Sequence, residues 1–290
     1  MVERPRWPEL DLLIVGALTI DRFPDGRTAP GGSVLHAAVA LEGVARIGAV
    51  TVAGNEAAAR DGLRVLRRAC GPRVHAEHVP ETITFAHQPP GSGVRLVLES
   101  AVVQLACPAR PLRPRAVLYA PIAAELNADF GGQLYADTVQ VAVLQGWLRS
   151  LDPGRAAQPL PLAALHGRLV RRLAACSALV ASREDLVAAA GSVAEQLDAL
   201  RRLVGNGPVL CVTDGDAGAT VDDHGRRWRV APPRVVHGVD TVGAGDAFAA
   251  GLALALGERA APLAAARRAA AVAQRYLEAR RRAMSGSGPG

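Results

Sequence analysis

An α/β fold with a mostly parallel sheet covered on both faces is what this sequence predicts, and three observations predict it. Short, nearly continuous apolar runs recur along the 290 residues, the pattern of strands buried on both sides. Alanine- and leucine-rich stretches at helical spacing separate several of these runs, and strand–helix alternation of this length belongs to parallel sheets. Half of the residues are hydrophobic while only 3% are aromatic, so the core has to be aliphatic and alanine-rich.

Residues 12–15, Leu-Leu-Ile-Val, run into Gly16 and read as the first buried strand. Behind Gly31-Gly32, residues 34–41 carry Ala and Val at helical spacing. Residues 46–53 are β-rich, and residues 57–70 form a charged helix. From about 79 to 107 the pattern changes. Residues 82–85 and 94–98 flank Gln-Pro-Pro-Gly-Ser-Gly, which predicts strand, turn and strand, a hairpin standing off the main layer. Alternation then resumes, with strands at 116–119, 139–144, 178–181 and 209–213 and helices at 160–175 and 192–204. Two alanine-rich helices and a flexible tail, 285–290, close the chain. No internal repeat is present, and 108–114 is too short for a linker, so 1–284 is expected to form one domain.

The net charge of +6 and pI of about 9.9 invite a nucleic-acid reading. All 33 basic residues are arginine, and the densest cluster, Arg280-Arg281-Arg282, reads as the solvated face of a terminal helix. The absence of lysine excludes a P-loop NTPase and a protein kinase, each of which needs one. Cys70, Cys107, Cys176 and Cys211 lack the spacing of a zinc site or disulfide framework. No apolar run is long enough to span a membrane and the first eleven residues do not form a signal peptide. A soluble cytoplasmic protein is expected.

The most informative stretch is Asp240-Thr241-Val242-Gly243-Ala244-Gly245-Asp246-Ala247-Phe248-Ala249-Ala250-Gly251. A glycine-rich turn feeding a helix presents free backbone N–H groups and the positive end of the helix dipole, a seat for phosphate oxygens. Asp246 would repel an anion bound there. It makes sense as a base that takes a proton from a hydroxyl attacking the phosphate; the plain alternative is an N-capping aspartate. The full run closely resembles the C-terminal signature of the ribokinase-like (PfkB) carbohydrate kinase family.

Weaker likenesses precede it. Asp21, after the first strand, resembles the family's early aspartate, which binds substrate hydroxyls. Gly31-Gly32 and His36 resemble a Gly-Gly-x-x-x-Asn element, with histidine where asparagine is usual. An unperturbed His36 would titrate near pH 6.5 and make acceptor binding pH-dependent between about 5.5 and 7.5. Gln145 and Arg149 fall where the family places a polar residue and an arginine near the substrate and transferred phosphate. Ser182 and Asp185 stand where Asn-x-x-Glu organises Mg²⁺ through water, and the same pair makes a good helix cap. Thr213, Gly215 and Gly218 resemble a Thr-x-Gly-x-x-Gly segment that lies along the nucleotide, and Thr241 joins that set.

The resemblance spans about 12–275. It implies a three-layer α/β/α ribokinase-like fold with a small β lid, and an ATP-dependent kinase acting on a hydroxyl of a sugar, cyclitol or nucleoside. Asp246 would be the general base, and backbone N–H groups of Gly243, Ala244, Gly245 and Asp246 would form the anion hole. Mg²⁺ would bridge the ATP phosphates, and a monovalent cation such as K⁺ would sit near Asp240. The expected partners are a small polyol and a second copy through the lid, with no nucleic acid and no membrane. Two alternatives stay open: a family member that binds nucleotide without turnover, and a basic nucleic-acid-binding protein.

Overall fold

The computed structural model describes residues 9–89, 96–105, 113–129, 135, 137–186 and 191–285. Fifteen strands and six helices follow in order: β1 (Leu10–Val15), β2 (Thr19–Arg22), β3 (Thr28–Gly31), α1 (Ser33–Ala40), β4 (Ile47–Ala53), α2 (Ala57–Cys70), β5 (Val74–His78), β6 (Ile83–His87), β7 (Leu96–Leu98), β8 (Pro114–Tyr119), β9 (Val139–Val143), β10 (Arg149–Ser150), β11 (Gln158–Pro159), α3 (Gly167–Ala174), β12 (Ala178–Ser182), α4 (Val193–Val204), β13 (Val209–Thr213), β14 (Ala219–Asp223), β15 (Arg226–Val230), α5 (Ala244–Gly257) and α6 (Pro262–Ser285).

Nine strands form one sheet in the order β15-β14-β13-β12-β9-β8-β1-β4-β5. From β5 to β13 every pairing is parallel; β14 and β15 add antiparallel to that edge. The predicted runs become these parallel strands because residues such as Leu12, Leu13, Ile14 and Val15 are buried on both faces. One face packs against α1, α2, α5 and α6, the other against α3 and α4. From Ala247 to Ala255 helix α5 is apolar and buried on every side. A Cβ on Gly251 would meet Ala269 and Val272 of α6 at 2.9 Å, so the α5–α6 crossing depends on small residues.

A second sheet, β3-β2-β6-β7, stands off the first. It contains the predicted hairpin strands, now β6 and β7, and extends it with β2 and β3 from the chain's start. The hairpin's turn at 90–95, Cys107 and the tail beyond 285 lie outside the described residues. The predicted helix over 160–175 is shorter. Pro161 precedes a single 3₁₀ turn, Leu162–Ala164, and the helix begins only at Gly167, where His166 Nδ1 caps the N–H of Arg168. Cys70, Cys176 and Cys211 are buried free thiols. Among the described residues no helix is long and apolar enough to cross a membrane.

Candidate active site

At the C-terminal ends of β1, β9, β12 and β13, under the second sheet, lies an open cleft of about 1460 Å³. Ligands collect at this end of parallel sheets because chain crossings leave a crevice there. The cleft is lined by Asp21, Gly32, His36, Gln145, Arg149, Ser182, Asp185, Thr213, Gly215, Thr241, Gly243, Ala244, Gly245 and Asp246. Most of the sequence-selected residues are therefore brought together. Gly31, Gly218 and Asp240 do not line it.

The turn at 240–243 leads into α5 with Gly243 in the left-handed region, φ 85°. A Cβ there would meet His36 Cγ and the Tyr276 hydroxyl at 2.5 Å, so only glycine fits. The N–H of Ala244 is donated to Thr241 O at 3.0 Å, and that of Ala247 to Gly243 O at 2.9 Å. The Ala244 N–H, expected in the anion hole, is thus engaged within the turn. The N–H groups of Gly243, Gly245 and Asp246 have no partner among the described residues. The space around a Gly245 Cβ is open to at least 4 Å. The fold does not require glycine at 245.

Asp246, in the first turn of α5, reaches the cleft but is otherwise surrounded by protein. Removal from bulk water raises its pKa to about 6; the Ser33 hydroxyl and Arg149 pull it down and Asp185 pushes it up. Ser33, the first residue of α1, is buried, and its Oγ lies beside the Asp246 carboxyl without a hydrogen bond of regular geometry. A carboxyl poised near neutrality beside an unsatisfied hydroxyl suits a proton acceptor better than a helix cap.

Asp21 marks the other end. The loop after β1 is pinned by buried groups: Ala17 N–H donates to Glu125 Oε1 at 2.8 Å and Leu18 N–H to Thr51 Oγ1 at 2.8 Å. The chain then enters β2, central in the second sheet, and Asp21 projects into the cleft. Burial raises its pKa, and the nearness of His87 opposes this. His87 Nε2 lies 3.1 Å from Asp21 Oδ1, and its ring stacks on Phe23 at 4.8 Å. A Cβ on Gly31 would strike Asp21 Oδ2 at 2.3 Å, and one on Gly32, φ 99°, would strike Ala17 O at 2.5 Å. The diglycine thus makes room for Asp21 and the β1–β2 loop.

His36 is tied from behind: its Nδ1 lies 2.9 Å from the Tyr276 hydroxyl. That hydroxyl donates to Val242 O at 3.1 Å and accepts from Arg280 Nη1 at 3.1 Å. With its proton on Val242 O, it accepts from His36 Nδ1–H, leaving Nε2 as an acceptor. Burial, aided by the charge of Arg280 and opposed by Asp240, drives the His36 pKa down to about 4. The expected titration between pH 5.5 and 7.5 is therefore displaced to acid pH.

Arg149 Nη2 lies 3.5 Å from Asp185 Oδ1. Asp185 Oδ2 accepts the Ser182 N–H and Ser182 Oγ accepts the Asp185 N–H, each at 3.0 Å. The two bonds have the reciprocal form of a capping box, but they close a turn over 182–186 and no helix begins there among the described residues. Among the described residues no three His, Cys, Asp or Glu side chains cluster to hold a metal. Asp185 fits a phosphate-borne Mg²⁺ only through an intervening water. Thr213 and Gly215 line the cleft. Gly218 instead closes the β13–β14 turn against Val230 O.

Sequence reasoning missed Ser33, His87 and Tyr276 as site residues, and it read Arg280 as solvated. Arg281 and Arg282 are exposed, but Arg280 turns inward onto Tyr276 and Asp240. Tyr276 and Arg280 are four residues apart on one helix face, a usable signal only once a partner for that face is known.

Residues 155–281 match the model of the pfkB family carbohydrate kinase. No curated protein matches the chain. Solved structures match across nearly its whole length. One is a pyrophosphate-dependent kinase in the ribokinase family, complexed with a pyrophosphate analog and myo-inositol; it is 17% identical over 92% of this chain and 95% of that one, with TM-score 0.69. Another is Arabidopsis thaliana ribokinase complexed with ribose and ATP, 17% identical over 92% of both chains, TM-score 0.68. A third is fructokinase from Vibrio cholerae O395 with fructose, ADP and calcium, 20% identical over 93% of this chain and 92% of that one, TM-score 0.67. The fold is ribokinase-like, as the sequence resemblance implied.

Proposed function

We propose that this chain, a ribokinase-like fold carrying a pfkB-family carbohydrate kinase segment, transfers a phosphoryl group from a phosphate-chain donor such as ATP to a hydroxyl of a small polyol. The observation that carries the reading is Asp246: a carboxyl with pKa raised to about 6, in the first turn of a helix whose Gly245 and Asp246 N–H groups are free and face a cleft.

In this reading the donor's phosphates lie against Gly245 and Asp246 N–H, with the rest of the donor along Ser182, Thr213, Gly215 and Thr241. The acceptor lies between Asp246 and the second sheet, its other hydroxyls meeting Asp21, His36 Nε2 and Gln145. Asp246 takes the proton of the attacking hydroxyl. The acceptor oxygen forms a bond to the terminal phosphorus as the bond to the leaving phosphate breaks. The proton stays on Asp246 until product leaves. Backbone N–H groups and Arg149 stabilise charge spreading over the transferring oxygens. Mg²⁺ bound to the donor would neutralise phosphate charge, with Asp185 holding it through water.

The test is a phosphotransfer panel with Mg-ATP and Mg-pyrophosphate as donors and ribose, fructose, myo-inositol and a nucleoside as acceptors. A phosphorylated product that disappears in Asp246→Asn is the expected result. Tight binding of a donor without product from any acceptor would favour a nucleotide-binding protein without turnover.

A further inference from the structure

Beside Asp240, where the sequence resemblance implies a monovalent cation, stands Arg280. Its Nη2 donates to Asp240 Oδ2 at 2.7 Å. Asp240 Oδ1 accepts the Val242 N–H at 3.0 Å, and Val242 O accepts the Tyr276 hydroxyl at 3.1 Å. Arg280 Nη1 donates to that same hydroxyl, and its guanidinium lies 5.8 Å from the Tyr276 ring centroid. The carboxylate and the carbonyl that would ligate a cation here are engaged by protein donors, and a second positive charge would meet a guanidinium. The residues present do not fit a monovalent cation.

We propose that Arg280 is a positioning residue that takes the place of the monovalent cation and, through Tyr276, braces the anion-binding turn. One guanidinium grips Asp240 at the start of the turn and, through the Tyr276 hydroxyl, Val242 in its middle. Gly243 rests on Tyr276 and His36 with no room for a Cβ. The turn that exposes the Gly245 and Asp246 N–H groups is thereby fastened to α6, which packs along α5. Arginine suits this role because its planar fork serves two acceptors at once. A brace built into the chain makes the turn's geometry independent of which alkali salt is present. The kinetic consequence rests on the phosphotransfer reading above; the brace itself does not.

Hydrogen exchange of the 240–247 segment is compared in potassium and in tetramethylammonium chloride for wild type, Arg280→Ala, Arg280→Lys and Tyr276→Phe, with donor and acceptor KM and kcat measured in parallel. Wild type is expected to show the same exchange and the same kinetics in both salts. Arg280→Ala should exchange about tenfold faster in this segment and raise the donor KM about tenfold or more, with the acceptor KM little changed, since a hydrogen bond to a charged group is lost. Arg280→Lys should recover part of this, and potassium or free guanidinium should partly rescue Arg280→Ala. Tyr276→Phe, which keeps the ring, should loosen Val242 and Gly243 while leaving wild-type indifference to potassium; it decides the matter if Arg280→Ala does not fold. Marked slowing of wild-type exchange by potassium, or unchanged exchange in both Arg280→Ala and Tyr276→Phe, would overturn the proposal. Wild type that makes no phosphorylated product would sink the phosphotransfer reading while the exchange result still decides the brace.

Discussion

Asp246 carries opposed demands on activity and stability. Its folded pKa, about 6, lies above the ordinary 3.8, because burial disfavours the ionised form. Such a group opposes folding at neutral pH, and the opposition fades as pH falls through 6. Asp246→Asn is therefore expected to stabilise the fold at pH 7.5, by up to about 3 kcal/mol if the whole shift is recovered, read as a higher melting temperature. The same change should cost about 100- to 10,000-fold in turnover, the usual loss of a general base. In wild type, kcat/KM should fall as pH drops through about 6. A variant that is both active and no more stable would remove Asp246 from its role. Gly245 gives the complementary case. Its Cβ position is empty, so Gly245→Val should melt within a few degrees of wild type, the helix-propensity change being under about 1 kcal/mol and in favour of valine. Its side chain would stand where the donor phosphate is placed, so donor binding should be lost. Retained donor affinity, measured calorimetrically, would show that phosphate sits elsewhere.

The strands that were legible in the sequence are those buried on both faces, such as β1, β4 and β13, whose apolar runs need no partner to be recognised. Strands without such a run were not. β2 reads Thr-Ile-Asp-Arg, β3 contains Pro30 and β15 alternates arginine with Trp228 and Val230, so none has an uninterrupted apolar signal. What makes β14 and β15 hold is charge as well as packing. Asp222 is fully buried on β14, and burial alone would raise its pKa; bonds from Arg227 and Arg201 outweigh that and hold the carboxyl below its usual range. Arg227 of β15 is 2.8 Å away, and Arg201 reaches Asp222 from α4. A depressed folded pKa contributes stability that is present above the unfolded value near 4 and lost as pH falls below it. Asp222→Ala leaves Arg201 without its buried partner and should cost about 3–5 kcal/mol in urea unfolding at pH 7. The difference from wild type should narrow below about pH 4. A constant gap across that range would show that packing, not the ion pairs, ties α4 to the sheet edge.

Across the whole molecule the cleft has two ends, and they differ in how the sequence discloses them. In the proposed reading the donor end is written mostly within one contiguous stretch, 240–251, because a turn and the helix it feeds would make the phosphate seat locally. The proposed acceptor end is assembled by tertiary pairing. Asp21 meets His87 only because β2 lies parallel to β6, with Asp21 opposite Phe85, and no spacing in the chain announces that. This division predicts how ligands protect the molecule. A bound ligand adds its free energy to every opening that its own contacts must survive, about 2.7 kcal/mol at a hundredfold excess over Kd. A donor bound alone should slow hydrogen exchange chiefly in 241–247 and near Thr213. An acceptor bound alone should slow it in β2 and in Ile83–His87. Both ligands together should protect both ends. The acceptor's footprint should shrink in His87→Ala, which leaves the donor seat intact. Protection of β6 by the donor alone would mean that the nucleotide or pyrophosphate reaches under the second sheet, and the two ends of the cleft would have to be exchanged.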